Sequence, residues 1–250
     1  DRAFFHNNEI TRLTLPENLE HLGAWAFSSC PALSDTLILP KNLKEIGKDA
    51  FCGSNISCLV IKSEKLEPID STLENNFFFN CANLQTIVCE QSVKNLTFSL
   101  LRASHDIKEV VFPESLNEIP EAFFAHAKIS GKILFPKDLK TVGWSAFFVA
   151  KIDSVILPKS VKEIRSYAFN YSTVRKIDIG SEIEVLGEKS LADLLDLDTL
   201  IIRATTPPLA GQNFFLNSGS EKFVFLVPKE SLDAYKTHKA FSKLNPKPLN

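Results

Sequence analysis

The chain has 250 residues, with 28 Lys and Arg against 30 Asp and Glu, which gives a formal net charge of −2. A chain of this length can bury roughly 70–75% of its unfolded surface, so it needs neither disulfides nor metal to fold. The charges nearly cancel and form no long run of one sign, so we do not expect nucleic-acid binding. No apolar stretch approaches the roughly 20 residues that span a bilayer, and "DRAFFHNNEI" lacks the order of a signal peptide. We therefore expect a mature or trimmed domain without a transmembrane segment, whose targeting signal, if present, would lie outside this sequence.

A short motif recurs along the chain, an apolar-x-apolar triplet followed by Pro or a substitute. The clear copies are Leu13–Pro16, Leu37–Pro40, Val110–Pro113, Ile133–Pro136 and Val155–Pro158, and weaker copies end at Lys62, Glu90, Gly180, Arg203 and Pro228. Successive copies are 24, 22, 28, 23, 23, 22, 22, 23 and 25 residues apart. A regular period in this range indicates a solenoid of stacked repeats.

Each repeat carries two strand-forming segments, which predict two sheets facing each other across the core; we call these sheets the two walls. The β-branched and aliphatic triplet favours a short strand, and equivalent strands one turn apart stack into a parallel sheet. Pro has no N–H to donate and ends the strand. Paired aliphatic residues three and six positions later, such as Leu43 and Ile46, predict a second, shorter wall behind the first. A glycine often follows, as at Gly47, where we expect a sharp turn.

A small residue followed by Phe completes the repeat. The pairs are Ala26-Phe27, Ala50-Phe51, Ala146-Phe147 and Ala168-Phe169, with Ala122-Phe123 displaced by one. The small residue permits close backbone approach, and the rings predict a column of Phe side chains between the walls. This column explains much of the excess of Phe, which supplies 20 of the aromatic residues.

The pattern L-x-L-P-x-x-L-x-x-I-G-x-x-A-F-x-x-C-x-x-L, followed closely by Leu13 to Leu33, resembles the leucine-rich repeats of BspA-like bacterial cell-surface proteins. The segments Ala204–Phe215 and Phe225–Phe241 are similar to the closing segments of such domains. The resemblance implies a β-rich α/β fold: a right-handed leucine-rich repeat solenoid with a parallel sheet, about ten turns and a short C-terminal capping helix. It also implies secretion or surface anchoring, and adhesion to host or matrix proteins.

We expect one domain over residues 1–250. Residues 1–12 would form an N-terminal cap, 13–227 the repeats and 228–250 a C-terminal cap, because a stack must cover its last hydrophobic layer. In the cap, Leu232, Tyr235 and either Ala240 or Phe241 can share one face of a short helix. The repeats are irregular at 63–80, which carries an insertion, and at 91–104, which lacks both Pro and Gly.

No catalytic or metal-binding motif is found. The cysteines Cys30, Cys52, Cys58, Cys81 and Cys89 form no C-x-x-C pair, and their odd number argues against a complete disulfide framework. The five histidines are scattered, and there is no nucleophile elbow, Walker loop or dinucleotide fingerprint. We therefore expect no enzyme activity, no cofactor and no metal.

The middle residues of the strand triplets are the candidate binding site. Side chains alternate along a strand, so these residues face outward if their neighbours face the core. The resulting apolar stripe is Ile38, Val60, Val88, Val111, Leu134, Ile156 and Ile201, with Glu109, Lys132, Ser154 and Lys176 as a polar rim. An exposed apolar row usually marks an interaction site, although β-branched residues also simply stabilise a ladder.

The sequence leaves three functions open. The first is an extracellular, monomeric domain that binds a host or matrix protein on the stripe. The second is a structural spacer with no ligand of its own. The third is a glycan-binding module, for which Trp25, Trp144, Tyr167 and Tyr171 are the candidate aromatic residues. Lysines at equivalent positions, Lys137 with Lys159 and Lys140 with Lys162, could attract an anion, but nearby carboxylates favour a mixed-charge solvated edge.

Overall fold

A computed structural model describes residues 1–64, 66–68, 77–93, 96 and 99–249. Parallel strands wind through about nine turns of a β-solenoid, and helices are few. In chain order the elements are β1 (His21–Leu22), β2 (Thr36–Leu39), β3 (Glu45–Ile46), β4 (Cys58–Ile61), β5 (Glu67–Pro68), β6 (Thr86–Cys89), β7 (Ile107–Val111), β8 (Glu118–Ile119), β9 (Lys128–Leu134), β10 (Thr141–Val142), β11 (Lys151–Ile152), β12 (Ser154–Ile156), β13 (Glu163–Ile164), β14 (Lys176–Ile179), β15 (Val185–Leu186), β16 (Thr199–Ile202), β17 (Leu209–Ala210), β18 (Val224–Pro228), a 3₁₀ turn (Lys229–Ser231), α1 (Leu232–Thr237), a second 3₁₀ turn (Ser242–Leu244) and β19 (Lys247–Leu249).

The chain divides into two compact units. The N-terminal unit comprises Asp1–Leu116 and Pro120–Pro136, and the C-terminal unit comprises Asn117–Ile119 and Lys137–Asn250. The single domain with caps at 1–12 and 228–250 stays a prediction. Most of the expected insertion at 63–80 lies outside the described residues, which include only 63–64, 66–68 and 77–80 of it. The irregular segment 91–104 also lies partly outside them.

The long strands of the N-terminal unit form the wall that the triplets predict. Strands β2, β4, β6, β7 and β9 pair in parallel, in that order. In β2 the burial alternates, since Leu37 and Leu39 are buried and Thr36 and Ile38 are exposed. Between β7 and β9 the register shifts by one residue, so that Ile107 faces Ile129 whereas Glu109 faces Lys132. This irregularity accommodates one extra residue in β9.

The strand expected at Leu13–Pro16 is not formed, so that prediction is wrong. Among the described residues no backbone hydrogen bond joins this segment to β2, and the preceding residue Thr11 accepts one from Ser34 N at 3.4 Å. Leu13 and Leu15 are only half-buried. The first turn of a stack has a neighbouring turn on one side only. Here the single neighbour, β2, is not enough to make the segment a strand.

The long strands of the C-terminal unit repeat the arrangement. Strands β12, β14, β16, β18 and β19 pair in parallel, in that order. The expected strand ends at Pro158, Gly180, Arg203 and Pro228 fall within two residues of the observed ends. The sequence therefore predicts nine of the ten long strands across the two units.

The predicted second wall is present in both units. Strands β1, β3 and β5 pair in the N-terminal unit, and β8, β10, β13, β15 and β17 pair in the C-terminal unit. The glycine that follows is required for close packing between turns rather than for a left-handed bend. A Cβ added at Gly47 would lie 2.3 Å from Ala24 N, and one at Gly187 would lie 2.5 Å from Ser166 N.

A third ladder, which the sequence analysis missed, links the segments that follow the short strands. We call these segments corners. In the corners that begin at residues 2, 25, 99, 145, 167 and 189, N–H groups at alternate residues donate to carbonyl groups of the next turn, as from Trp25, Phe27 and Ser29 to Lys48 O, Ala50 O and Cys52 O at 2.7–2.9 Å. The first and last of these donors are left-handed, with φ of 52° for Trp25 and 57° for Ser29. The same spacing of four recurs at 99 and 103, 122 and 126, 145 and 149, 167 and 171, 189 and 193, and 213 and 217.

The corners carry the predicted column of Phe rings. In the N-terminal unit, Phe4, Phe27, Phe51 and Phe78 stack with centroids 5.0, 5.5 and 5.5 Å apart. In the C-terminal unit, Phe147 stacks on Phe169 at 4.8 Å. Residues 1–7 therefore begin with a corner that already resembles those that follow.

The displaced pair Ala122-Phe123 is explained by the corner register. Leu101 N donates to Phe123 O, so Phe123 takes the position of the small residue and Phe124 that of the stacked ring. Both rings are buried and meet edge to face at 4.8 Å. Ala122 takes the left-handed position, with φ of 51°.

The predicted C-terminal helix is present as α1, which is six residues long. Tyr235 in α1 and Phe241 beyond it are both 0% exposed and pack against Phe225 of β18. The Tyr235 hydroxyl donates to Ala204 O at 3.0 Å. Strand β19 then pairs with β18, so the long sheet of this unit is covered at its end.

Deleting residues 229–250 should sharply lower the free energy of unfolding, because it removes β19 and uncovers Phe225, which is 1% exposed. Losing the burial of Tyr235 and Phe241 alone removes about 3–5 kcal/mol for each side chain. Urea denaturation followed by circular dichroism measures the effect. An unchanged unfolding midpoint would contradict the capping role.

Val149 is a β-branched residue with φ of 55°, which is an uncommon and costly conformation. We expect Val149→Asn to raise the free energy of unfolding by about 1 kcal/mol, since Asn tolerates this conformation. The matched control is Thr173→Asn, an exposed position that is not left-handed. Equal effects of the two substitutions in urea denaturation would show that backbone strain is not the cause.

Candidate functional site

The apolar stripe forms one continuous row in the N-terminal unit. Its five residues lie directly opposite one another in successive strands, in the order Ile38, Val60, Val88, Val111 and Leu134. Ile38 is 42% exposed and Leu134 is 48% exposed, and the three valines are half-buried. With a strand spacing of about 4.8 Å, the row is about 19 Å long.

A polar row runs beside the apolar row on the same face. Residues two positions earlier in each strand pair in the same register, so that Thr86 faces Glu109 and Glu109 faces Lys132. Both predicted rim residues of this unit, Glu109 and Lys132, are exposed. Opposite charges directly across from each other stabilise neighbouring strands modestly and mark one end of the row as polar.

Cys58 belongs to this polar row, since it pairs with Thr36 and Thr86. It is half-buried, and its partial burial raises the pKa of its thiol. At neutral pH the group is therefore a thiol rather than a thiolate, which makes it a poor nucleophile and a poor metal ligand. Burial raises the pKa of both Cys81 and Cys89 to about 12, and these thiols serve as small core residues.

A shallow cavity of about 320 Å³ lies at the Ile38 end of the row. Its walls include the half-buried Leu13 and Leu15 and the charged pair Arg12 and Asp35, whose closest atoms are 2.8 Å apart. The cavity exists because the segment at Leu13–Pro16 does not form a strand against β2. It extends the apolar surface beyond Ile38.

The stripe does not continue in the same way in the C-terminal unit. Ile156 is 63% exposed, but the residue opposite it in β14 is Asp178, and the next in β16 is Ile201. Ile201 is only 5% exposed, so the expectation that its side chain faces solvent is wrong. The two remaining predicted rim residues, Ser154 and Lys176, face each other beside Ile156.

Asp178 and Arg203 form an ion pair on this face that the sequence analysis missed. Arg203 Nε lies 2.7 Å from Asp178 Oδ1, and Arg203 Nη2 lies 2.8 Å from Oδ2. Asp178 is 4% exposed, whereas the Arg203 side chain is 47% exposed. Two features of the sequence could have predicted this ion pair: Asp178 lies at the centre of an apolar triplet, and Arg203 lies where other repeats have Pro.

Two of the four lysines at equivalent repeat positions, Lys140 and Lys162, are paired with carboxylates. Lys162 Nζ lies 2.7 Å from Glu184 Oε1, and Lys140 Nζ lies 3.8 Å from Glu182 Oε2. The hydrogen bond from Lys162 to Glu184 holds the pKa of the lysine above its usual value. This edge of the C-terminal unit is therefore the mixed-charge solvated surface that the carboxylates predict.

The candidate glycan-binding aromatic residues are only partly brought together. Trp144 is 47% exposed, and its ring centroid lies 5.4 Å from that of Tyr167, with the planes tilted by 54°. Tyr171 is 58% exposed and contacts Phe148. In the N-terminal unit, Trp25 lies beneath the Arg2 guanidinium at 5.0 Å. The tilt between Trp144 and Tyr167 gives no flat aromatic platform.

The described part of the chain contains no group of three or more His, Cys, Asp or Glu side chains placed to hold a metal ion. In the same residues, no helix has the length and apolar character needed to cross a membrane. The surface that the geometry assembles is thus an apolar row with a polar border in the N-terminal unit, and an apolar residue beside an ion pair in the C-terminal unit.

Comparison with solved structures finds similar folds in bacterial leucine-rich repeat proteins. One from Bacteroides ovatus has a TM-score of 0.52 and 18% identity, over 99% of this chain and 80% of that chain. One from Eubacterium ventriosum has a TM-score of 0.46 and 16% identity, over 94% of this chain and 67% of that chain. The pneumococcal vaccine antigen PcpA has a TM-score of 0.46 and 18% identity, over 97% and 88%.

No curated protein matches the chain. The sequence profile of the BspA type leucine-rich repeat region matches residues 1–130 and 102–222, with six copies of the repeat. These matches cover the long strands, short strands and corners described above from β1 to β17. The chain therefore belongs to the BspA-type leucine-rich repeat family.

Proposed function

We propose that the chain is a non-catalytic, extracellular repeat domain that recognises a protein or an extended peptide on the exposed face of its long sheets. The observation that carries the proposal is the in-register row from Ile38 to Leu134. The location at the cell surface and the role in adhesion rest on the family, whose repeat proteins are generally not enzymes.

The row is suited to binding because it is held in place before a partner arrives. In four of its five strands the residue before the row member, Leu37, Leu59, Ile87 or Val110, is fully or almost fully buried in the core. In β9 the equivalent residue, Ile133, is half-buried. A rigid surface loses little conformational entropy on association, so even modest apolar burial gives measurable affinity. Glu109 and Lys132 supply charges of both signs at its border, which favours orientation of the partner.

The C-terminal unit offers a different surface on its long sheet. Ile156 is the most exposed member of the predicted stripe, and the adjoining Arg203 keeps an exposed guanidinium edge while it pairs with Asp178. We propose Ile156, Ser154 and Lys176 as a secondary contact, and we place the main binding energy on the N-terminal unit.

The test replaces Val88, Val111 and Leu134 together by Ser and measures binding to a panel of purified serum and extracellular-matrix proteins by surface plasmon resonance. Each truncation removes about 1–2 kcal/mol of apolar burial against a partner, so we expect affinity to fall by tenfold or more. The fold should persist, because none of the three side chains is fully buried.

The matched control replaces Phe5 and Leu209 by Ser, since these are 40% and 73% exposed and lie outside the long sheets. It should bind as the parent chain does. If the triple variant retains the affinity of the parent for every panel protein that the parent binds, the row is not the binding site. If the parent binds none, the spacer function replaces the adhesive one.

A further inference from the structure

The corner ladder of the C-terminal unit has a direction. In the corner at 145–149, the N–H groups of Ser145, Phe147 and Val149 donate to carbonyl groups of the following turn, and none of the three donates backwards. The corners at 167–171 and 189–193 do the same, at distances of 2.7–3.2 Å. The corners at 167–171 and 189–193 therefore accept bonds from the turn before them and donate N–H groups to the turn after them.

The last corner, at 213–217, keeps its donors free. Its carbonyl groups at Gln212, Phe214 and Leu216 accept from the preceding turn. The N–H groups of Asn213, Phe215 and Asn217 have no acceptor in the described part of the chain. Strand β19 closes the long sheet at the same end of the unit, but no described segment pairs with this corner.

A cavity of about 910 Å³ adjoins these free donors. Its apolar wall is formed by Phe215, whose ring lies 5.1 Å from that of Phe223, and by Tyr171 and Leu195, which are 58% and 70% exposed. Phe215 and Asn217, which carry two of the free N–H groups, line the cavity directly.

One lysine and one aspartate set the charge of the cavity. Two ionisable acid and base side chains line it, Asp193 and Lys243, apart from the phenol of Tyr171. Asp193 already accepts from Asn170 Nδ2 at 2.9 Å and from Asn217 Nδ2 at 3.1 Å. Lys243 has no ion-pair partner among the described residues, so its charge is available to a ligand.

We propose that this open corner binds a segment of a partner polypeptide that takes up the turn conformation of the preceding corners and runs parallel to residues 213–217. Three carbonyl groups of the segment, at alternate residues, accept from Asn213, Phe215 and Asn217. An apolar side chain of the segment packs on Phe215 and Phe223, and an acidic side chain pairs with Lys243. This site is separate from the long sheet and does not depend on the function proposed above.

The preceding turns identify the ligand as a peptide. In each of them the same three donor positions are filled by peptide carbonyl groups spaced two residues apart. Addition of a segment to an unpaired backbone edge is a recurring mode of peptide recognition, in which the main chain supplies affinity and neighbouring pockets supply specificity. Lys243 adds a preference for an acidic sequence.

The probe is a blocked peptide of residues 187–194, GEKSLADL, because its carbonyl groups at Glu188, Ser190 and Ala192 accept from Tyr167, Phe169 and Tyr171 in the intact chain. Titration of the ¹⁵N-labelled protein should shift the amide signals of Asn213, Phe215 and Asn217 saturably. Lys243→Glu should weaken binding at least fivefold, and Phe215→Pro, which removes the central donor, at least tenfold.

Lys239→Glu is the matched control, since Lys239 is exposed, lies four residues away and does not line the cavity; it should bind as the parent does. A peptide with Glu188→Lys and Asp193→Lys should bind Lys243→Glu better than it binds the parent. This charge exchange also keeps the test valid if Phe215→Pro fails to fold.

Three outcomes would overturn the proposal. The first is no saturable shift of the three amide signals at millimolar peptide. The second is slow hydrogen exchange of these amides in the free monomer, which would show that they already have acceptors. The third is concentration-dependent self-association that protects them, which would identify a second copy of the chain as the occupant instead of a partner peptide.

Discussion

The separation between successive turns is the constraint on which the rest of the structure depends. Parallel strands must lie about 4.8 Å apart for their backbone groups to bond, and each turn here meets its neighbours on three sides at that spacing. Gly47 and Gly187 show how strict the requirement is, because even a Cβ at either position would overlap the backbone of the adjacent turn. The flat Phe rings stack at 4.8–5.5 Å for the same reason. A side chain of greater thickness in this column would force the turns apart.

The same constraint explains why the corners tolerate left-handed residues that are not glycine. The described residues include twenty left-handed residues other than glycine, all but Asp106 and Asn245 in corners, and each costs roughly 1–2 kcal/mol in isolation. Such strain persists only where surrounding contacts over-determine the backbone. In the inner corners that begin at residues 25, 99, 145, 167 and 189, three hydrogen bonds to the next turn and a buried aromatic or aliphatic side chain fix the conformation, so the identity of the left-handed residue is almost free. The first left-handed position of a corner is occupied by residues as different as Trp25, Ser145 and Lys189. An alignment of the repeats therefore shows no consistent Gly or Asn at this position.

This freedom separates what could be predicted from the sequence from what could not. The triplets with Pro predict nearly all the long strands, the paired aliphatic residues predict the short ones, and Ala-Phe predicts the ring column, because each depends on a residue type that the stack cannot exchange. The corner ladder depends on backbone N–H and C=O groups, which nearly every residue has, so no pattern of residue types predicts it. The end of the stack escapes prediction for another reason: Leu13–Pro16 has the strand pattern, but it lacks the second neighbour that a strand inside the stack has.

The candidate face shows the same division at the level of side chains. The alternation of side chains along a strand correctly predicts that Ile38, Leu134 and Ile156 point outward, because this alternation follows from the pleat alone. It fails for Ile201, which lies opposite Asp178 and is only 5% exposed, because exposure depends on neighbouring side chains as well as on the pleat. Burying a carboxylate is unfavourable unless it is fully paired, so Asp178 ties Arg203 to the face. The two units thus present different chemistry on equivalent surfaces, a bare apolar row in one and an arginine held by a buried aspartate in the other. A partner selected by the first surface is selected for shape and apolar area, whereas one that contacts the second must also accept hydrogen bonds from the outer N–H groups of a guanidinium that Asp178 holds in place.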